Sequence, residues 1–232
     1  MSELEYFLWE QDGPIATITF NRAEKRNGLD PSVMLEFESL VHRARDAGDV
    51  KILVATGKGP AFCAGADLGL ARNAESAEER ARIQADMNRV PRIIGRTFDA
   101  MVHMDIISIA AVNGYAVGGG WSIATGFDHV LAVEGAQFWL PEVEVGMPFR
   151  GLANINLTQR LGPVLAKEAM ILCRRFTAEE LLQYRVINQV CAAGDLEAET
   201  RRVADAYLAM PWRAAINTRR DINAAIYGPQ YY

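Results

Sequence analysis

The sequence predicts an α/β fold in which strands dominate the first part of the chain and helices the last. Compact apolar runs at Ile15 to Phe20, Lys51 to Thr56, Ile106 to Val112 and His129 to Val133 have the length of buried strands. Two of these runs lead straight into glycine-rich loops, at Gly57 and at Asn113-Gly114. From Gly151 to Ala209 the apolar residues recur instead at helical spacing. A chain of 232 residues that is 50% hydrophobic can bury one substantial core, so one main domain is expected.

Taken in order, Ile15 to Phe20 leaves a turn at Asp12-Gly13-Pro14, and Tyr6 to Glu10 is its expected partner strand. Asp30-Pro31 supplies an N-cap and a first-turn proline. Val33, Met34, Phe37, Leu40, Val41 and Ala44 follow at helical spacing, and the helix is expected to stop near Ala47-Gly48. Lys51 to Thr56 is a buried strand ending in the loop at Gly57. The charged stretch from Glu75 to Met104 is helical in tendency but interrupted at Pro91, which predicts two pieces. Ile106 to Val112 enters a triple glycine, after which Trp121 to Thr125 begins a helix. His129 to Val133 is the next strand, and Leu140-Pro141-Glu142 opens the loop after it. Gly162-Pro163 and the Thr177 to Glu180 capping box mark later helix starts.

Composition excludes several classes of function. The net charge is −5, and basic residues cluster only in pairs such as Arg174-Arg175, so no nucleic-acid footprint is present. Cys63, Cys173 and Cys191 are odd in number and widely spaced, which fits neither a disulfide framework nor a zinc site. No metal site is expected. The acidic N-terminus lacks a signal-peptide pattern and no apolar stretch is long enough to span a bilayer, so a cytoplasmic protein without membrane association is expected.

Two segments carry chemistry. In VNGYAVGGGWSIA a strand passes through glycines into a helix start, where unpartnered backbone NH groups can stabilise an anionic oxygen. Gly119 would aim one such NH, and the absence of a side chain permits close approach. A tight turn packed against another helix is the alternative on this segment alone. The second segment, AFCAGADL from Ala61 to Leu68, also follows a buried strand and surrounds a glycine with small residues, with Ala66 as its donor. Two such loops on neighbouring strands would supply the converging donors that a thioester carbonyl needs as it becomes an enolate or oxyanion.

Both segments, their order and their separation resemble the crotonase family, also called the enoyl-CoA hydratase/isomerase superfamily, from about Ile15 to Gln189. NRAEKRNGLD resembles the family's NRPEKRNAL element, with Ala23 and Gly28 as departures. The resemblance implies that Lys25 and Arg26 approach the CoA nucleotide, although a solvated loop is an equal account of these two from their chemistry alone. It also implies that Ala64, Gly65 and Ala66 receive the adenine, and it places Gly118 among the substrate-binding residues. Asp67 is expected to hold the loop. Glu142 in AQFWLPEVEVG matches the family's glutamate after proline. A carboxylate beside an apolar acyl pocket has its pKa raised by desolvation, which suits proton exchange next to a carbonyl. The resemblance makes Glu142 the acid/base, with Glu144 facing elsewhere.

Two departures bear on the reaction. Ser122 stands where two-carboxylate hydratases carry a second glutamate, which suits single-glutamate isomerases. Hydroxycinnamoyl-CoA hydratase-lyases, whose segment resembles GGGWS, keep hydration open. Ser122 is therefore expected either to bond substrate or water or to cap its helix. At MPFRGLA, Phe149 and Arg150 put bulk and charge where many hydratases are glycine-rich. An inward Arg150 would suit a substrate with an acyl-end carboxylate or other polar group, and an outward one is an ordinary surface arginine; the segment's resemblance to GVPYN of family decarboxylases keeps decarboxylation open. Gly120 to Ala124 misses the serine-hydrolase elbow at its last position, and neither His103 nor His129 carries a triad signature. P-loop and dinucleotide fingerprints are absent.

The resemblance implies an α/β crotonase-like (ClpP/crotonase) spiral of ββα units over residues 1–190, followed by a helical trimerisation region over 191–232. Because the chain ends at GPQYY, earlier than most family members, this last region is expected to be shorter than in the family. The expected function is enoyl-CoA hydration through an enolate held by Ala66 and Gly119, with Glu142 transferring the proton. Double-bond isomerisation and decarboxylation are the alternatives within the family, and a non-catalytic acyl-CoA binding protein is the alternative outside it. The expected partners are an acyl-CoA substrate and other copies of the chain in a homotrimer or hexamer. Coenzyme A enters only as part of the substrate, with no other cofactor.

Overall fold

The computed structural model describes residues 4–67, 69–70, 73–149 and 152–227. Strand β1 (Phe7–Asp12) pairs antiparallel with β2 (Ile15–Phe20) across the Asp12-Gly13-Pro14 turn. Gly13 takes φ +56°, a conformation that glycine adopts without penalty. Helix α1 (Pro31–Asp46) starts as its sequence dictates: Asp30 accepts from the backbone NH of Val33, and Pro31 occupies the first turn. Its buried stripe is the predicted one, from Val33 to Ala44.

The main sheet has six strands in the order β1-β2-β3-β5-β7-β10, and all pairs beyond β1-β2 are parallel. Its further members are β3 (Ile52–Gly57), β5 (Ile107–Val112), β7 (His129–Val133) and β10 (Gln189–Cys191). Every residue of β5 is buried, as expected of a strand covered on both faces. A second sheet of four strands, β4 (Ala61–Cys63), β6 (Tyr115–Val117), β8 (Gln137–Trp139) and β9 (Phe176–Thr177), stands beside it. Each long strand is thus followed by a short one in the other sheet, β3 by β4, β5 by β6 and β7 by β8. This repeat is the predicted spiral. The expectation that strands give way to helices after Gly151 is corrected in detail, because β9 and β10 interrupt the helical region and extend both sheets.

Helices α2 (Ala77–Met87) and α3 (Val90–His103) are the two pieces divided near Pro91. Helix α4 (Gly119–Thr125) follows β6, and α5 (Leu152–Met170) is kinked at Gly162, where φ is +68°. The capping box of Thr177 and Glu180 starts α6 (Ala178–Gln183). The last helices, α7 (Leu196–Leu208) and α8 (Trp212–Tyr227), fold back onto the chain's own body. Arg219 on α8 fixes this docking. Its guanidinium is paired with Asp128 at 2.9 Å and donates to the carbonyls of Met101, Val102 and Met104. Phe7, Phe20, Phe37 of α1 and Phe62 form one buried aromatic cluster, and Trp121 of α4 with Phe138 and Phe176 forms another.

Candidate active site

The loop after β4 is held by the segment before α1. The NH of Ala64 donates to the carbonyl of Arg26 at 3.0 Å, that of Leu29 to Gly65 at 2.7 Å, and that of Asp67 to Leu29 at 2.8 Å. These bonds form a parallel bridge between Leu29 and Ala66. Backbone groups alternate in direction along an extended chain, so when the groups of Gly65 and Asp67 face Leu29, the NH of Ala66 faces the other way. The same contact sets Arg26 alongside Ala64, and Lys25 and Arg26 are both exposed there.

A buried asparagine that sequence reasoning missed supports this turn. Asn27, 1% exposed and at φ +57°, accepts from the NH of Arg22 and donates to the carbonyls of Lys58 and Ala61 at 3.0 and 2.8 Å. The Asn27-Gly28 pair within KRNGL was the available signal, since asparagine tolerates the left-handed region best after glycine. Arg22 crosses the same turn, donating to Gly28 at 2.8 Å and lying 3.7 Å from Asp67. Asp67 also accepts from the NH of Gly69, so it ties its own loop to the segment carrying Arg22.

The second loop meets the first through its glycines. Gly118 is the N-cap of α4, and the helix's first internal bond runs from the NH of Ser122 to the carbonyl of Gly118. The NH of Gly119 therefore lies ahead of the helical ladder. A Cβ on Gly65, whose φ is +75°, would sit 2.6 Å from the carbonyl oxygen of Val117 and 3.4 Å from the nitrogen of Gly119. Ala66 and Gly119 are thus brought to adjoining backbone. A Cβ on Gly119 would meet Leu29 at 3.0 Å and Ile94 at 3.3 Å, which marks an apolar wall that sequence reasoning did not identify. A Cβ on Gly120 would overlap the carbonyl of Cys63, so that glycine is required by the approach of α4 to β4.

Glu142 arrives from β8. The pairing of Val117 with Trp139 continues in a bond from the NH of Gly118 to the carbonyl of Trp139 at 2.9 Å, and Glu142 follows three residues later. The loop closes on itself through Met147, whose NH donates to the carbonyl of Glu142 at 2.8 Å. A Cβ on Gly118 would lie 2.7 Å from Oε1 of Glu142, so the carboxyl rests on that glycine. Its Oε2 is buried and has no hydrogen-bond partner among the described residues. Burial pushes the Glu142 carboxyl above the ordinary glutamate range. Glu144 is exposed, as expected.

Ser122 is 4% exposed, and its hydroxyl donates back along the helix to Gly118 at 3.2 Å. Neither histidine of the hydrolase alternative bonds to it: Nδ1 of His129 faces the Tyr207 hydroxyl, and that of His103 the Asp99 carbonyl. Phe149 is partly buried against the core; Arg150 lies outside the described residues. Cys63 is buried and its thiol is pushed up to about 12, which leaves it inert. No cluster among the described residues could hold a metal ion.

With this geometry in place, comparison with known proteins decides the family. A model of the enoyl-CoA hydratase/isomerase family matches residues 10–227. The chain belongs to that family. It is 29% identical to a crotonyl-CoA hydratase of Syntrophomonas wolfei over 86% of this chain and 74% of that protein. It is 31% identical to a carnitinyl-CoA dehydratase of Proteus mirabilis, over 83% and 70% of the two chains. Among solved structures, an enoyl-CoA hydratase subunit of Geobacillus kaustophilus superposes with a TM-score of 0.85 at 28% identity, covering 99% of this chain and 86% of that one. DspI of Pseudomonas aeruginosa does so with a TM-score of 0.83 at 30% identity, covering 98% and 84%. The crotonase fold and an enzyme of the hydratase/isomerase family are therefore established for this chain.

Proposed function

We propose that this family member adds water across the double bond of a 2-enoyl-CoA thioester. The reading is carried by one observation, the buried carboxyl of Glu142 resting on Gly118, immediately before Gly119, whose NH lies ahead of the helical ladder of α4. The CoA moiety lies along Lys25, Arg26, Ala64 and Gly65, and the thioester oxygen sits between the NH groups of Ala66 and Gly119. Glu142 takes a proton from water as the water oxygen bonds to the β-carbon. The electron pair moves to the thioester oxygen as an enolate, and the proton returns to the α-carbon. Hydration and dehydration are the two directions of this step, which accords with the names of both relatives. Leu29 and Ile94 border the acyl group beside Gly119.

A second reading, migration of the double bond, is favoured by Ser122. Its hydroxyl is engaged with Gly118, and it supplies no second carboxylate for water. Incubation with 2-enoyl-, 3-enoyl- and carboxyacyl-CoA thioesters in deuterated water, followed by mass spectrometry, separates the possibilities. Hydration adds one deuterated water; migration leaves at most deuterium exchange, decarboxylation loses carbon dioxide, and a binding protein changes no mass. We further propose a homotrimer or hexamer in the cytoplasm. The exposed Val164, Ile171 and Leu172 support association, and no helix among the described residues is long and apolar enough to cross a membrane.

A further inference from the structure

A cavity of about 730 Å³ opens where α8 and α7 lie against α5 and the start of β5 at Ile107. None of its lining residues belongs to the loops carrying Ala66, Gly119 or Glu142. It meets the opposite end of α4 from the one at the active site, at Gly126 and Phe127. Its volume falls in the range of small-molecule sites.

The charges around it do not balance. Arg160, Arg185 and Arg219 line the cavity together with a single carboxylate, Asp128. Asp128 is already committed, accepting from the NH and hydroxyl of Ser108 at 2.8 Å and from Nε of Arg219 at 2.9 Å. Arg160 donates to the carbonyls of Phe127 and Val186, and no carboxylate among the described residues lies within ion-pair distance of it. A guanidinium keeps its charge, so Arg160 is a partly buried cation with no carboxylate at ion-pair distance among the described residues. Burial accordingly holds it below its ordinary range. Two carbonyls occupy part of its five-donor fork and leave NH groups for a planar, two-oxygen acceptor.

The rest of the wall mixes polar side chains, among them Asn156, Gln159, Asn188 and Asn223, with an open apolar part. Met210 and Ile222 are 53% and 54% exposed, and the exposed Ile226 lines the cavity with them. An inorganic anion would leave these side chains in water, whereas an anion with a hydrocarbon tail would cover them. We propose that this cavity is a second ligand site, which binds a small carboxylate with an apolar tail, its head on Arg160 and its tail against Met210, Ile222 and Ile226.

Octanoate is a suitable probe, titrated by calorimetry into the full chain with inorganic phosphate in parallel. The wild type is expected to bind one octanoate per chain, and phosphate at least about tenfold more weakly. Ala215→Trp, which fills the cavity from α8, is expected to weaken octanoate at least about tenfold while leaving enoyl-CoA turnover unchanged. Arg160→Lys keeps the charge but not the fork and is expected to weaken it several-fold. Where either variant fails to fold, methyl NMR of the wild type replaces it, with octanoate expected to shift the Ile222 and Ile226 methyl signals. No octanoate heat, equal binding by phosphate, undiminished binding in a folded Ala215→Trp protein, displacement of octanoate by coenzyme A, or unmoved Ile222 and Ile226 signals would each overturn the proposal.

Discussion

Replacing Gly65 with alanine tests the meeting of the two loops. At φ +75° an alanine adopts a left-handed backbone that costs about 1–2 kcal/mol. Its Cβ would also stand 2.6 Å from the carbonyl oxygen of Val117, well inside ordinary contact, so the backbone on one side must retreat. Overpacking of this kind adds about 1–3 kcal/mol, for a total near 2–5 kcal/mol of lost stability. The retreat also parts Ala66 from Gly119, because the new methyl would lie 3.4 Å from the Gly119 nitrogen. Loss of one oxyanion donor lowers kcat about 10² to 10³-fold, and a partial displacement should cost about 10²-fold. Urea denaturation measures the first effect and enoyl-CoA hydration kinetics the second. A Gly65→Ala enzyme that loses the stability but keeps wild-type kcat would refute the placement of these two NH groups at the reacting carbonyl.

Further expectations follow from the same contacts. Asn27→Ala leaves the carbonyl of Lys58 and the NH of Arg22 without their Asn27 partner and the carbonyl of Ala61 with only the longer bond from Asn113, and chemical denaturation should show a loss of about 2–4 kcal/mol. Asp128→Ala strands the buried Arg219 and should cost about 3–5 kcal/mol by the same measurement. Ser122→Ala removes only a bond back along α4, so turnover should stay within a few-fold; a much larger fall would place the serine on substrate or water. Glu142 has a raised pKa in the folded chain, so its contribution is fully present below the unfolded glutamate pKa and is lost as pH rises through the folded one. Stability attributable to this group therefore falls with rising pH across that window. Glu142→Gln should remove that fall and be more stable than the wild type at neutral pH, as thermal melts over a pH series would show.

The long strands were legible because burial on both faces leaves continuous apolar runs such as ISIAAV, and α1 because Asp30 and Pro31 announce its start. Strands of two or three residues were not. AFC, YAV, QFW and FT are too short to show a period, so the second sheet, which places Gly118 beside Glu142, could not be seen. At the site, the glycines and Glu142 stood out through their motifs, but the division of labour among Gly118, Gly119 and Gly120 did not. One rests against Glu142, one faces Leu29 and Ile94, and one admits the carbonyl of Cys63. The pairing of Leu29 with Ala66 and the span of Asn27 join segments more than thirty residues apart, which local pattern does not encode.

The central claim is that Glu142 moves the proton while the backbone loops hold the thioester. Glu142→Gln preserves shape and removes only the titrating group, so it should lower enoyl-CoA turnover by about 10² to 10⁴-fold while leaving the affinity for a CoA thioester unchanged. Turnover within tenfold of the wild type, with binding intact, would contradict it.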